Sequence, residues 1–532
     1  MKKFLSLTAM AAMAVMAQGA SAGSPPQAGG ITPVHSPGKI YKEIFPAPAQ
    51  VRVAASHKAK ARVQPSDFMN RSFSGALISA ESWMDMWITE VPYGIYDFTL
   101  SSDGITRSER YTGMSQDWMS GAVKRNRFYG IRNVNMFGSL TGVVFSEVDL
   151  AANESVREVF ADEPSFGLLP SAMAYDYASG DIYGVFYNSD LTGYNWSRFN
   201  TKTLEQEVIC QFNGRFNPVA MASAPDGLLY VVNTDGDLYT VNRTNSRVSL
   251  VGHTGVNVAA YTQAMTWDSA TNTFLWMAVT PTGPALYSLD PEGPVSTLVQ
   301  RGADGEQLAA IFFDTAERMD GTPAAPESLK WNFSAPGAFD GTVTLQCPDA
   351  GELTVYLDGE PVKEAVSVTA GSNITIPFIG LSNATHHVSA MMHNATGWSP
   401  VAESFQYAGY DVPLPVTGLT FSESGGVASL SWNAPAGGVE GGYIDPSALY
   451  YKIYRLPDGV EVASHHTSTT FTETLPSGVK RYSYRVVPFN GDARQGEAVV
   501  SNALVYGESY ELPFQDDFAM EGALDVYTLI DG

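Results

Sequence analysis

Cysteine is almost missing: 2 residues in 532. No disulfide-dense scaffold can be built from them, so each folding unit depends on its own apolar core. Basic residues are scarce too, 31 Lys and Arg against 55 Asp and Glu for a formal charge of -24. That balance argues against nucleic acid as a partner, because such binding is dominated by cations neutralising phosphates. Long apolar runs are confined to the N-terminus. The local signatures of common catalysis are also lacking: there is no H-E-x-x-H pair, no G-x-S-x-G elbow, no G-x-x-x-x-G-K-[ST] loop and no strand-borne G-x-G-x-x-G. No cofactor and no metal site is expected. At about 100–200 residues per domain the length calls for several units.

The N-terminus carries Lys2 and Lys3, an apolar stretch over residues 4–17, and then Ala20, Ser21 and Ala22. A basic start, an apolar middle and an A-x-A site describe a cleavable secretory signal at 1–22. The run is shorter than the roughly 18–20 residues of a spanning helix, and no later run approaches that length. The chain is therefore expected to be secreted or held at the outer cell surface, with no transmembrane segment. Residues 23–65 follow as a Pro/Ala-rich arm, with six basic residues against the single acid Glu43, a local charge of +5. Too little apolar surface is present there to offset the entropy of ordering, and a flexible arm is expected.

Residues 66–320 contain a repeat. Five segments share an apolar-x-x-apolar-(Asp/Asn/Thr) core, beginning at Ile95, Phe145, Trp196, Leu238 and Leu286 and ending at Thr99, Asp149, Asn200, Asn242 and Asp290. A second element of small residues precedes the later copies: Ala172-Met173-Ala174, Ala220-Met221-Ala222 and Ala264-Met265-Thr266. Weaker versions stand at Gly75-Ala76-Leu77, Gly121-Ala122-Val123 and Leu308-Ala309-Ala310. Small residues suit an innermost strand crowded near an axis, and the intervening runs are rich in aromatic and β-branched residues. Four short strands per repeat describe the blade of a β-propeller, here with five to seven blades. No kelch or WD40 signature falls in register, and a stack of β-sandwiches is the structural rival.

After Asp320 the texture changes to Pro-bounded alternating strands. Across residues 414–506 the strand Ser429-Leu430-Ser431-Trp432, and Leu475 preceding Tyr482, resemble a fibronectin type III domain. Together with Tyr443-Ile444-Asp445-Pro446 and Tyr450 to Arg455, the segment is similar to type III modules of large exported surface proteins of Gram-negative anaerobes. Residues 321–412 resemble a more divergent fibronectin III-like or Ig-like sandwich, and 413–507 the clearer one. Residues 508–532, with Leu512-Pro513-Phe514-Gln515-Asp516-Asp517-Phe518, resemble the opening of a cleaved-adhesin-type jelly roll. So short a segment cannot form that domain, so the expectation is that the chain is a fragment, the alternative being that these residues form a tail. The expected class is thus all-β, a propeller followed by two sandwiches.

Candidate chemistry is thin. His386/His387 and His465/His466 fall in strands where neighbours point to opposite faces, so neither pair suits one metal. Cys210 and Cys347 lie in different domains with no base beside them. Asp176 and Asp268 recur at the ends of inner strands, where Asp usually forms a turn. A propeller glycosidase would need two acids converging at the axis, and the inner strands offer Ala, Met, Gln263 and Gln307 instead. Tyr183, Tyr187, Tyr194 and Trp196 form a candidate aromatic platform for a sugar or peptide. The leading expectation is a non-enzymatic exported binding or adhesion protein with an extracellular glycan or protein ligand and the sandwiches as spacers. A glycan-acting hydrolase with its site in the propeller funnel, and a structural surface component, are the alternatives.

Overall fold

The computed structural model describes residues 33–34 and 63–507, apart from residues 81–92, 115–117, 137–138, 162–166, 168, 189–192, 214–215, 244–246, 260–262, 304–305 and 479. The expected signal at 1–22, most of the arm at 23–65 and the expected further domain at 508–532 lie outside the described residues. The described chain is all-β, with no α-helix and no helix long and apolar enough to cross a membrane. It divides into two compact units. The first is Met1–Glu327 with Gln346–Ser372 and Val388–Glu403, and the second is Ser328–Leu345, Asn373–His387 and Ser404–Gly532.

The first unit begins with β1 (Pro33–Val34), β2 (Ser72–Ala80), β3 (Tyr93–Ser101) and β4 (Gly104–Met114). Four strands follow as β5 (Trp118–Lys124), β6 (Arg127–Met136), β7 (Ser139–Asp149) and β8 (Glu154–Ala161). The next four are β9 (Pro170–Tyr175), β10 (Ile182–Tyr187), β11 (Gly193–Asn200) and β12 (Glu205–Asn213). Then come β13 (Pro218–Ser223), β14 (Leu229–Asn233), β15 (Asp237–Val241) and β16 (Val248–His253). The series ends with β17 (Ala264–Asp268), β18 (Thr273–Thr280), β19 (Gly283–Leu289), β20 (Ser296–Arg301) and β21 (Glu306–Phe312).

These strands form five antiparallel sheets: β5-β6-β7-β8, β9 to β12 with β1 on its outer edge, β13 to β16, β17 to β20, and β21-β2-β3-β4. The first strands β5, β9, β13, β17 and β21 lie side by side, and β21 returns to β5. An apolar layer fills the space between each neighbouring pair of sheets, the closing pair included, where Trp118 and Phe128 meet Ala309, Ala310 and Phe312. Burial falls from the inside outward: β13 and β21 are buried throughout, while β8 is exposed along most of its length. Small residues such as Ala172, Ala220 and Ala309 let the inner strands approach one another, and the aromatics of the second and third strands fill the wider gaps behind them.

All five copies of the repeat core are third strands of their sheets. Of the six small-residue segments, five are inner strands. Gly75-Ala76-Leu77 is the exception: it sits second in its sheet, because the late strand β21 occupies the inner position beside it, pairing Gly75 with Ile311.

Beyond the sheets run β22 (Glu327–Phe333), β23 (Gly341–Cys347), β24 (Gly351–Leu357), β25 (Glu360–Val368), β26 (Ser372–Phe378), β27 (Thr385–His393) and β28 (Ala402–Tyr407). The strands expected in 321–412 are present, yet the boundary between the two units passes through β23 and β27. Strand β24, paired with β25 on one side and β27 on the other, belongs to the first unit. The hairpin after β24 explains the assignment: Tyr356 donates its hydroxyl to Asp226 O at 3.0 Å, and Gly359 N donates to Ala178 O at 3.0 Å.

In the second unit β29 (Thr417–Ser424), β30 (Val427–Asn433) and β33 (Thr470–Thr474) form one sheet. The other is β32 (Val460–His466), β31 (Tyr450–Leu456) and β34 (Lys480–Asn490), with β35 (Arg494–Gln495), β36 (Val499–Val500) and β37 (Leu504–Tyr506) along β34. Alternating residues of both sheets share one core of Phe421, Leu430, Trp432, Tyr451, Ile453, Leu475, Tyr482 and Tyr484. Trp432 and Tyr451 meet edge to face with centroids 5.1 Å apart, and the whole is a fibronectin III-like sandwich.

Candidate functional site

The five inner strands of the first unit surround a cavity of about 230 Å³. Its wall is made of Gly121, Ala122, Met173, Ala174, Met221, Ala222, Ala264, Met265, Ala309 and Ala310, which carry no titratable group. Polar groups gather where the inner strands end: Tyr175 and Tyr177, Ser223, Asp268 and Ser269, Thr315 and Glu317, together with Arg125 and Glu403. Tyr175 donates its hydroxyl to Glu403 Oε1 at 2.5 Å, and its ring meets that of Tyr177 edge to face with centroids 5.7 Å apart. Burial, followed by the Glu403 carboxylate, pushes both phenols above their ordinary range. Neither Tyr ionises near neutrality, so both act as hydroxyl donors.

The two recurring acids are committed elsewhere. Asp176, at the end of β9, receives Arg243 Nε on Oδ2 at 2.6 Å and Nη2 on Oδ1 at 3.0 Å, with Ser179 Oγ at 2.6 Å. Asp268, at the end of β17, receives both terminal nitrogens of Arg71 at 2.6 Å and Thr271 Oγ1 at 2.7 Å. Each carboxylate also accepts local backbone N–H groups, from Ala178 and Ser179 in the first case and Ala270 in the second, as a turn former does. Each arginine comes from the neighbouring sheet, so each pair ties two sheets together. A carboxylate held bidentate by a guanidinium has both oxygens already engaged in charge-assisted hydrogen bonds. The two remaining acids of the cavity, Glu317 and Glu403, are on the rim.

The four platform aromatics lie in the interior between two sheets. Tyr183 stacks on Trp196 with centroids 5.5 Å apart, Tyr194 donates its hydroxyl to Asn217 Oδ1 at 2.9 Å and packs against Tyr187, and Trp196 is 0% exposed. Tyr187 is half-buried against the same core. The second strand β10 carries Tyr183 and Tyr187 and the third strand β11 carries Tyr194 and Trp196, and all four turn into the inter-sheet layer. Cys210 and Cys347 are free and buried, and burial pushes the Cys347 thiol up. His386 and His387 are both buried, the first with Nε2 at 3.0 Å from Ser382 O. Among the described residues no group of three His, Cys, Asp or Glu is placed to hold a metal.

Arg71, Arg243, the Tyr175/Tyr177 pair and Glu403 were not singled out by the sequence reading. Arg243 directly follows Asn242, the closing residue of a repeat core, whereas Arg71 precedes the first core, which begins at Ile95.

No protein-family model and no curated protein matches the chain. Among solved structures, an exo-β-1,3-galactanase from Phanerochaete chrysosporium in complex with β-1,3-galactotriose is similar at 10% identity and TM-score 0.28, over 62% of this chain and 98% of that one. A two-domain fibronectin type III segment of chicken tenascin is similar at 15% identity and TM-score 0.17, over 34% of this chain and 98% of the segment. Domains d3–d4 of the rat CD45 extracellular region are similar at 16% identity and TM-score 0.16, over 20% of this chain; the chain spans 57% of that segment's length. Likenesses of this degree assign no activity.

Proposed function

We propose that the five sheets are the blades of a five-bladed β-propeller, and that the chain is a non-enzymatic exported binding or adhesion protein of the outer surface. The propeller takes a glycan or protein ligand at the mouth of its axial cavity. The observation that carries this reading is the division of labour at the axis: a wall of Ala, Met and Gly, a rim of hydroxyls, and the recurring acid Asp268 already paired with Arg71. Rim groups of that kind bind by hydrogen bonding and shape rather than by proton transfer.

The rival hydrolase reading has one observation in its favour: Glu317 and Glu403 line the same cavity. The two separate in one experiment with the full chain on arrays of glycans and extracellular matrix proteins. Retained binding that Tyr177→Ala weakens, with ligands recovered intact, is the expected result. Release of reducing ends that Glu403→Gln or Glu317→Gln abolishes would replace the binding reading with the hydrolase. Silence on every array would leave the structural reading in its place.

A further inference from the structure

The outward face of the larger sheet in the second unit carries an arrangement that a spacer does not need. Register places Tyr450 opposite Phe489, Lys452 opposite Val487, and Tyr454 opposite Arg485 across β31 and β34. The alternate residues Tyr451, Ile453, Tyr484 and Val486 fill the core, so these six share the other face. His465, Tyr450 and Phe489 form a row across three strands, with centroid separations of 4.1 and 5.0 Å and the last two rings 9° from parallel.

Two cations are mounted on this face. The Lys452 ammonium stands 5.2 Å from the Phe489 centroid, and the Arg485 guanidinium carbon 4.5 Å from that of Tyr454. Aromatic rings are their neighbours on this face; among the described residues neither has a carboxylate within 4 Å, and Arg485 Nε is buried with no hydrogen-bond partner. Arg455, one position beyond Tyr454, shows the contrast: it pairs with Asp458 at 2.8 Å and Glu473 at 3.3 Å. One carboxylate, Glu461, stands on the face opposite Tyr454 and accepts its hydroxyl. In a chain of net charge -24, two cations left without counter-ions on one sheet face are a local reversal of sign.

We infer that this face of the second sandwich, centred on Tyr450, Lys452 and Arg485, binds an anionic polysaccharide carrying carboxylate or sulfate groups. The guanidinium offers such a group a paired donor geometry and the ammonium a second point of attraction. An acidic peptide fits less well. Recognition of an extended peptide by a sheet relies on an open strand edge, and both β31 and β34 are already paired on either side.

The test is calorimetric titration of the full chain with a polygalacturonate oligosaccharide, a neutral oligosaccharide of equal length, and poly-glutamate. Binding of the acidic sugar alone, weakened by added salt, is expected. The double substitution Lys452→Gln with Arg485→Gln should lower that affinity at least about tenfold, with the thermal unfolding of the protein unchanged. Arg485→Lys, which keeps the charge and loses the fork, should fall between. Equal binding of the neutral sugar, undiminished binding by the double variant, equal binding of poly-glutamate, or no binding of the acidic sugar each overturns the inference. Array binding that depends on Tyr177 is a separate readout, so failure here leaves the axial reading standing.

Discussion

At Arg243 one guanidinium serves several acceptors at once: both oxygens of Asp176, Gly227 O, and Gly359 O at 3.2 Å. Its loss leaves the Asp176 carboxylate, 0% exposed, without its counter-ion. Breaking a buried pair from one side costs about 3–5 kcal/mol, and Arg243→Ala should lower the denaturation free energy of the full chain by that order. Adding Asp176→Asn should restore part of it, since no buried charge is then stranded. The neighbouring Asp226 gives a pH signature. Burial raises its carboxyl to about 6, while bonds from Tyr230 and the Leu228 N–H and the charge of Arg243 pull it back. The folded protein therefore holds a proton that the unfolded chain has released, and this group's contribution falls as pH rises from about 4 to about 6. Asp226→Asn stays uncharged and still accepts from Tyr230; its urea midpoint relative to the parent should rise between about pH 4 and about pH 7. None of these partnerships was legible beforehand. Arg71 meets Asp268 across 197 positions and Arg243 meets Asp176 across 67, and a charge pattern read locally sees only a turn-forming Asp.

Single strands were far easier to read than their partners. The third strand of each sheet declares itself because both of its faces are packed, which buries apolar residues three positions apart such as Ile95 and Phe98, and its closing Asp, Asn or Thr opens a turn. Gly75-Ala76-Leu77 misled for a physical reason: a second strand lying against the inner strand is as crowded as the inner strand itself, with a Cβ at Gly75 already 3.0 Å from Leu308 Cδ1. Which strand takes the inner position beside β2 depends on β21, far along the chain. Glycines inside strands tell the same story of local crowding. In β6, a Cβ on Gly130 would stand 2.4 Å from Trp118 Cζ3 and 2.5 Å from Phe128 Cε1, two rings packed edge to face and fully buried. Gly130→Ala should displace one ring and destabilise the protein by about 1–3 kcal/mol. Loss of near-ultraviolet dichroism with an unchanged far-ultraviolet spectrum would mark the cause as ring packing rather than loss of the strand.

On the scale of the whole molecule, the sequence suggests a boundary near residue 320, whereas the compact units divide differently. The strands of residues 346–372 and 388–403 keep company with the five sheets because specific bonds hold them there. Besides the Tyr356 and Gly359 contacts, Asn272 donates Nδ2 to Trp398 O at 3.0 Å and accepts Trp398 N on Oδ1 at 2.5 Å, and Asn394 Nδ2 donates to Gly321 O at 2.9 Å. These partners are backbone groups and amides that composition cannot flag, whereas a Pro-rich change of texture is visible in the sequence. Tyr356 makes two kinds of attachment at once, since its buried ring packs on Ala178 and Met391 while its hydroxyl reaches Asp226 O. Truncation to Ala removes the ring and the bond together, a loss of about 3–5 kcal/mol for a large buried aromatic. Hydrogen exchange then separates the two descriptions of the chain. In Tyr356→Ala the amides of Gly351–Leu357 and Ile182–Tyr187 should lose protection together, while those of Val427–Asn433 in the second unit keep theirs. If 351–357 instead exchanged in step with 427–433 and independently of the sheets, the boundary near 320 would be the true line of cooperativity.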